Sequence, residues 1–206
     1  FFFLMTECEP GCAPAPASTC FPGSPGEPQG GIVPDMRTER RIAELGLSLP
    51  EPAAPVGSYV PYKVVNLRGP LTPVSGREGL PISSGLLYLS GMIPLQDGEP
   101  YKKGKLGGDV GLEDGVTCAE ICALNALGWA SRALEGNLDT IIEVVRVRGF
   151  VACTPGFTDH PGVINGCSDL LVQIFGDDGK HVRSAVGCPS LPLDVPVEID
   201  FVFSLR

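Results

Sequence analysis

The chain has 206 residues, of which 48 are Gly or Pro, and it carries a formal net charge of −9. The Gly and Pro share lies just under the ~25–30% typical of low-complexity sequences. A hydrophobic fraction of 43% and a mean hydropathy of +0.18 nevertheless exclude wholesale disorder. The acidic balance argues against nucleic acid as a partner, because proteins that neutralise phosphates carry the opposite charge.

Residues 1–35 differ in composition from the rest of the chain. They hold 12 of the Gly and Pro residues and contain no Lys or Arg. Such a segment cannot supply both a core and its charged surface, so we interpret it as a low-complexity tail. One domain, residues 36–206, is predicted to follow, and it begins with a short helix that ends at Gly46.

The first half of this domain is rich in turns, because 20 of residues 50–111 are Gly or Pro. Two strands are predicted here, Tyr62–Asn66 and Leu86–Ser90. Residues 67–83, between them, are interpreted as a surface loop insertion, and Asp97-Gly98 predicts a tight turn.

From residue 112 onward the hydrophobic periodicity is clear. A helix of about 22 residues is predicted up to Gly136, because apolar residues recur every three or four positions. A β-branched strand follows at Ile141–Cys153, and a second helix runs from about His160 to Phe175. The apolar stripe of the first helix consists of Val116, Ala119, Ala123, Leu127, Ala130 and Leu134.

Two closing strands, Val182–Cys188 and Val195–Ser204, complete the predicted domain. The order of elements indicates an α+β fold, a mixed sheet with two helices on one face. No third layer remains to cover the other face, so we expect the chain to associate with itself through the sheet. No stretch reaches the ~18–20 apolar residues of a membrane span, and we expect a soluble cytoplasmic protein, a mitochondrial location being the alternative.

The residues that most often carry chemistry or bind metals give weak signals. The eight cysteines contain no CxxC pair, and we expect reduced thiols, with Cys118 and Cys122 one helical turn apart. We therefore predict no metal site. His160 and His181 lie at element edges, where a solvated or capping role is the simpler interpretation. Nucleotide-binding and hydrolase motifs are absent.

Two charged residues stand inside the closing strands, namely Arg183 and Glu198. Each lies either on a solvated face, where a cross-strand ion pair would contribute only ~0–1 kcal/mol, or in a cleft with a function. Spacing alone does not choose between these interpretations.

Three segments resemble the Rid family of reactive-intermediate deaminases, also called the YjgF or L-PSP family. The segment 182–200 resembles the family's C-terminal signature in its Arg-Ser, Leu-Pro and Val-Glu-Ile spacing. The run Leu-Tyr-Leu-Ser-Gly-Met-Ile-Pro-Leu at 87–95 is similar to its Ser-Gly strand, and Gly57-Ser58-Tyr59 to the Gly-x-Tyr before it. The resemblance covers residue 55 to the end, apart from the insertion.

The resemblance implies a chorismate-mutase-like fold and a homotrimer with a small-molecule cleft at each subunit interface. It also implies hydrolysis of 2-imino acids to 2-oxo acids and ammonia, a C–N hydrolase activity that needs no cofactor. Arg183 matches the arginine that holds the substrate carboxylate, and Glu198 matches the glutamate near the attacking water. The implied pocket-lining residues are Tyr59, Ser90, Gly91, Asn165 and Ala185.

One position departs from the family pattern. Ala185 stands where the deaminase branch has a cysteine, two residues after the arginine. The alternative hypothesis is therefore a non-catalytic binder of small carboxylated metabolites. A further alternative is the endoribonuclease and translation-inhibitor activity attached to the family, which the net negative charge disfavours.

Overall fold

The computed structural model describes residues 36–52, 57–67 and 84–206. The predicted tail at 1–35, and all of the predicted insertion except residue 67, lie outside the described residues. Within the described part of the chain, no helix is both long and apolar enough to span a membrane.

The described residues form three α-helices and seven strands, joined by turns and short 3₁₀ segments. The secondary structure is α+β, as predicted, and the short helix predicted before Gly46 is present in addition to the two long ones. The helices are α1 (Arg37–Glu44), α2 (Leu112–Ala133) and α3 (His160–Phe175). The strands are β1 (Tyr62–Asn66), β2 (Gly85–Met92), β3 (Leu95–Gln96), β4 (Glu99–Pro100), β5 (Ile141–Ala152), β6 (Val182–Cys188) and β7 (Val197–Leu205).

Five of these strands form one mixed sheet in the order β1-β2-β7-β5-β6. Only the β5–β6 pair is parallel among them, and its crossover connection is α3. The strands β3 and β4 form a separate hairpin around Asp97-Gly98, where both residues have positive φ. The predicted turn is therefore confirmed. The strands on either side of it have two residues each, which is too short for an alternation that would predict them from the sequence.

Strand alternation places the core on one face of the sheet. In β7, Val197, Ile199 and Phe201 are at most 1% exposed and face the helices, whereas Glu198 and Asp200 between them point to the opposite face. The same alternation in β5 buries Val147 and exposes its neighbours. The two long helices pack side by side over the buried face, and α1 packs against α3.

A glycine allows the two long helices to approach closely. A Cβ atom at Gly166 of α3 would overlap the carbonyl oxygen of Val116 in α2. The side chains of Cys118 and Cys122 in α2 and of Cys167 in α3 are buried as free thiols near this contact. Their burial agrees with the prediction that these cysteines pack as small apolar residues.

The opposite face of the sheet bears no helix in the described part of the chain. Its exposed apolar residues include Val182 and Val186 of β6 and Tyr88 of β2, which are 68%, 45% and 45% exposed. Arg146 and Arg148 of β5 lie among them, as does the half-buried Phe150. We call this surface, made of the outward side chains of β2, β5, β6 and β7, the open face.

Candidate active site

A cleft of about 850 Å³ lies at the edge of the sheet where β1 begins and β2 continues past it. One wall is the loop 57–61 and another is β2 around Ser90-Gly91. The open face contributes Glu198 and Asp200, and α2 contributes Trp129. The wall is mainly apolar, and a few polar groups converge on it, which is the usual composition of a small-molecule site.

A β-bulge shapes the floor of this cleft. Leu89 of β2 pairs with Phe201 of β7, and Met92 pairs with Ile199, so that two residues of β2 oppose Asp200 alone. These two residues are Ser90 and Gly91, one more than β7 provides opposite them. Bulges re-aim side chains and end regular pairing, and they are frequent beside active sites.

Glu198 lies directly on the bulge. A Cβ at Gly91 would overlap Oε1 of Glu198, so only glycine leaves room for the carboxyl group in this position. Burial, and then the neighbouring charge of Asp200, raise the pKa of Glu198 above its usual value. The carboxyl group is thereby brought closer to the neutral range, in which a side chain can both accept and donate a proton.

Ser90 ties the loop 57–61 to the sheet. Its hydroxyl donates a hydrogen bond to the carbonyl oxygen of Val60 at 2.8 Å, and its backbone N–H donates to that of Pro61 at 2.9 Å. These bonds hold the loop that carries Tyr59, whose side chain is 49% exposed and lines the cleft. Tyr59, Ser90, Gly91 and Glu198 are therefore all brought to one cleft.

The cleft also contains residues that the sequence patterns did not indicate. Asn125 of α2 donates to the carbonyl oxygens of Ile93 and Leu95 at 2.9 and 3.1 Å, which ties α2 to the chain after β2. Arg148 pairs with Asp200 at 2.8 Å. In β5, Arg146 and Arg148 flank the buried Val147. This alternation could have been used to predict from the sequence that both arginines lie on the open face. The orientation of Trp129 depends on the rotation of α2, which no local pattern determines.

Arg183 lies on the other side of the sheet. It pairs with buried Val147 in the parallel β5–β6 ladder, and it therefore faces the helices. Its guanidinium donates to Ser168 Oγ at 3.0 Å and to the Pro161 carbonyl oxygen at 3.3 Å, both in α3. Ala185, two residues on, is half-buried and packs against the core from the same face.

The structure thus divides the predicted site residues into two sets. Arg183, Ala185 and the exposed Asn165 of α3 do not line the cleft. Within one chain, Arg183 and Glu198 are on opposite faces of the sheet, and they form no ion pair with each other.

The two histidines each contact a neighbouring polar group. His160 begins α3, and its Nε2 lies 3.4 Å from Cys153 Sγ, close above Gly187. His181 is half-buried between Ser168 and the carbonyl oxygen of Gly179. Neither histidine touches the cleft. No group of three or more His, Cys, Asp or Glu side chains in the described ranges is arranged to hold a metal ion.

Comparisons with known proteins assign this chain to a family. Residues 39–204 match the family model described as "YjgF/chorismate_mutase-like, putative endoribonuclease". The chain is 34% identical over 177 residues to Protein TCP17 of Trypanosoma cruzi, a match that covers 85% of this chain and 98% of the relative.

Two solved structures are also similar. The protein Atu1372 of Agrobacterium tumefaciens, described as of unknown function, is 36% identical with a TM-score of 0.67, over 82% of this chain and 93% of that one. A "putative endoribonuclease" of Shewanella oneidensis is 30% identical with a TM-score of 0.68, over 82% and 99% of the two chains. With its helix-backed mixed sheet and its matched length, the chain belongs to the YjgF/chorismate-mutase-like family.

Proposed function

We propose that the protein hydrolyses small 2-imino acids to 2-oxo acids and ammonia, without a cofactor, at sites shared between the subunits of a homotrimer. The observation that carries this proposal is the half-buried carboxyl group of Glu198. It lies on the Ser90-Gly91 bulge in an apolar cleft, and its pKa is raised. A carboxyl group whose pKa is raised by burial suits a role in which it accepts a proton and returns it.

The reaction needs a group that moves protons in both directions. Water adds to the carbon of the C=N bond, and Glu198 takes the proton that the water loses. Glu198 returns this proton to the imine nitrogen, which gives a neutral carbinolamine. In a second transfer Glu198 takes the proton of the carbinolamine hydroxyl and delivers it to the amino nitrogen, so that the C=O bond forms, the C–N bond breaks and the nitrogen leaves as ammonia. The net change is one imine and one water converted to one oxo acid and one ammonia. Nothing is oxidised or reduced.

The walls of the cleft would orient this substrate. The Ser90 hydroxyl already donates to Val60, and its remaining lone pairs can accept a hydrogen bond from an imine N–H. Tyr59 and Trp129 supply aromatic surface for the substrate side chain. Arg146 and Arg148 line the cleft within one chain, and Arg148 is already paired with Asp200. We assign the substrate carboxylate to an arginine of a neighbouring copy instead.

The position of Arg183 supports a shared site. It belongs to β6, the last strand in the sheet order, and faces the helices, whereas the cleft runs from the start of β1 along the open face of β2, β7 and β5. A contact between the β6 edge of one copy and the cleft of the next joins two different surfaces. Such a head-to-tail contact forms a ring when the rotation between copies closes, and the trimer is the smallest ring of this kind. Arg183 of one copy would then hold the carboxylate of a substrate that faces Glu198 of its neighbour.

An assay with a short-lived imine tests the activity. An amino-acid oxidase generates the 2-imino acid, and semicarbazide traps what has not been hydrolysed. We expect the protein to reduce the trapped amount, Arg183→Ala to abolish this effect with the oligomer intact, and Arg183→Lys to restore little of it, because lysine lacks the planar fork. Equal trapping with and without the protein, across imines of small and aromatic amino acids, would contradict the proposal.

A non-catalytic binder is the second candidate, and Ala185 is the observation that favours it. Its methyl group packs against the core and supplies no thiol beside Arg183. A binder would show a thermal shift with 2-oxo acids that depends on Arg183, and it would show no turnover. Ribonuclease activity ranks below both candidates, because the chain is acidic and Glu198 and Asp200 lie in the cleft.

A further inference from the structure

The guanidinium of Arg183 is fixed at both of its terminal nitrogens. One donates to Ser168 Oγ at 3.0 Å and the other to the Pro161 carbonyl oxygen at 3.3 Å. No Asp or Glu of the described residues forms an ion pair with it. Of the five N–H donors of an arginine, three therefore remain for another ligand. The positive charge is held in place without being neutralised.

Ser168 is itself oriented by a histidine. Nδ1 of His181 lies 2.7 Å from the Gly179 carbonyl oxygen, and Nε2 lies 3.0 Å from Ser168 Oγ. A carbonyl oxygen can only accept, so Nδ1 carries the proton. Burial, and also the charge of Arg183, lower the pKa of His181, which favours the neutral ring and leaves Nε2 as an acceptor. The Ser168 hydroxyl then donates to Nε2, and its lone pairs face Arg183.

The far end of this chain of bonds is rigid. Gly179 is buried against α3, and a Cβ there would overlap the carbonyl oxygen of Leu171. The direction of each hydrogen bond is thus determined from Gly179 through His181 and Ser168 to Arg183. None of these side chains lines the cleft.

We infer that Ser168 and His181 are positioning residues for Arg183, which fix its guanidinium in the orientation that receives a carboxylate. This inference rests on the proposed function, in which Arg183 is the carboxylate anchor. A free arginine side chain loses much rotational freedom when it binds a ligand, and a side chain already held at two nitrogens loses less. The resulting gain in affinity applies to the carboxylate group of the ligand and to no other part of it.

Binding of two matched ligands tests the inference on the full chain. The ligands are 2-oxobutanoate and its uncharged amide, and the dissociation constants are measured by calorimetry for wild type, Ser168→Ala, Ser168→Thr, His181→Phe and Arg183→Ala. We expect Ser168→Ala and His181→Phe to weaken binding of the oxo acid about tenfold and to leave the amide unchanged. Ser168→Thr keeps the hydroxyl, so we expect affinity within about twofold of wild type.

The outcomes separate this inference from the proposed function. If Arg183→Ala binds the oxo acid as tightly as wild type, the anchor role fails, and the proposed function and the inference fail together. If Arg183→Ala binds weakly while Ser168→Ala and His181→Phe bind normally, only the inference is overturned. Equal weakening for the acid and the amide would indicate a merely structural role and would also overturn it. Should His181→Phe not fold, the contrast between Ser168→Ala and Ser168→Thr decides.

Discussion

At the scale of single residues, the candidate site depends on the contact between Glu198 and Gly91. The carboxyl group occupies the space that any side chain on Gly91 would fill. Its pKa is raised because it is partly removed from water and because Asp200 lies nearby on the same face of β7. The glycine and the bulge therefore make room for the carboxyl group, and its burial and Asp200 raise its proton affinity.

Replacing Glu198 by Gln should raise stability in a pH-dependent way. The pKa of Glu198 is higher in the folded chain than in the unfolded one. At pH values between these two pKa values, the folded state therefore binds more protons than the unfolded state. Stability therefore falls as the pH rises through this interval. We expect Glu198→Gln to melt at a higher temperature than wild type at about pH 8, and the difference to disappear at about pH 4. An equal difference in melting temperature at both pH values, measured by calorimetry, would contradict this origin of the shift.

The same substitution should remove activity. Loss of a positioned acid or base costs about 10²–10⁴-fold in rate, and Gln keeps the size of the side chain without its proton affinity. The loss should appear in kcat, as measured by the semicarbazide competition assay. An active Glu198→Gln variant would remove Glu198 from the mechanism.

Gly91→Ala should displace the carboxyl group without deleting it. The new methyl group would overlap Oε1 of Glu198, so the side chain must leave its place on the bulge. We expect kcat to fall at least ~10-fold, because small errors in the position of a catalytic group are costly. Gly156→Ala is the matched control, since nothing lies within 4 Å of its Cβ position and its φ is not positive. Equal activity of the two variants would show that the position of Glu198 does not matter.

At the scale of elements, packing of the two long helices depends on Gly166. A Cβ at this position would overlap the backbone of Val116, which can yield only if α2 and α3 separate. Overpacking of this kind costs ~1–3 kcal/mol. Denaturant unfolding should show this loss for Gly166→Ala and little change for Gly156→Ala. A Gly166→Ala variant as stable as wild type would indicate that the helices can move apart freely.

Local sequence patterns predicted the elements well where their period was long enough. The bounds of β1, α3 and β6 agree with the predicted ones, and α2 is a helix of 22 residues as expected, beginning at Leu112. The hairpin β3–β4 was not predicted as strands, because two residues cannot show an alternation.

The candidate site could be predicted less well than the elements from local sequence patterns. The Ser90-Gly91 bulge depends on the register between β2 and β7, which are more than half the chain apart in sequence, and no local signal encodes such a register. The resemblance of the signature segments indicated Tyr59, Ser90, Gly91 and Glu198, which the fold brings together. It could not indicate that Arg183 faces the helices while Glu198 faces away, since this follows from the pairing of both strands with β5.

At the scale of the whole molecule, each copy carries the two halves of the proposed site at different edges of its sheet, so that each half must be completed by another copy. The open face between them carries exposed apolar side chains beside paired and unpaired charges. Contiguous exposed apolar patches rimmed by polar side chains are typical of interfaces. Assembly of copies would cover this face and bring the edges of neighbouring copies together.

A charge on the open face should therefore separate the copies without unfolding them. Val186 is 45% exposed, so Val186→Asp should change the stability of the isolated chain by no more than ~0.5 kcal/mol. We expect it to lower the oligomeric mass in light scattering and to abolish activity. Leu112→Asp, at the start of α2 and 44% exposed, is the control that should leave both unchanged. A monomeric variant with full activity would show that one chain contains the whole site.

Complementation between two inactive variants tests the shared site most directly. Arg183→Ala and Glu198→Gln each leave one half of the site intact, on opposite faces of the sheet. When the two variants are refolded together in equal amounts, random assembly pairs an intact Arg183 edge with an intact Glu198 cleft at roughly a quarter of the interfaces. We predict that the mixture recovers about that fraction of wild-type activity in the semicarbazide assay. A mixture that stays inactive, although light scattering and mass spectrometry show mixed oligomers, would contradict a site shared between subunits.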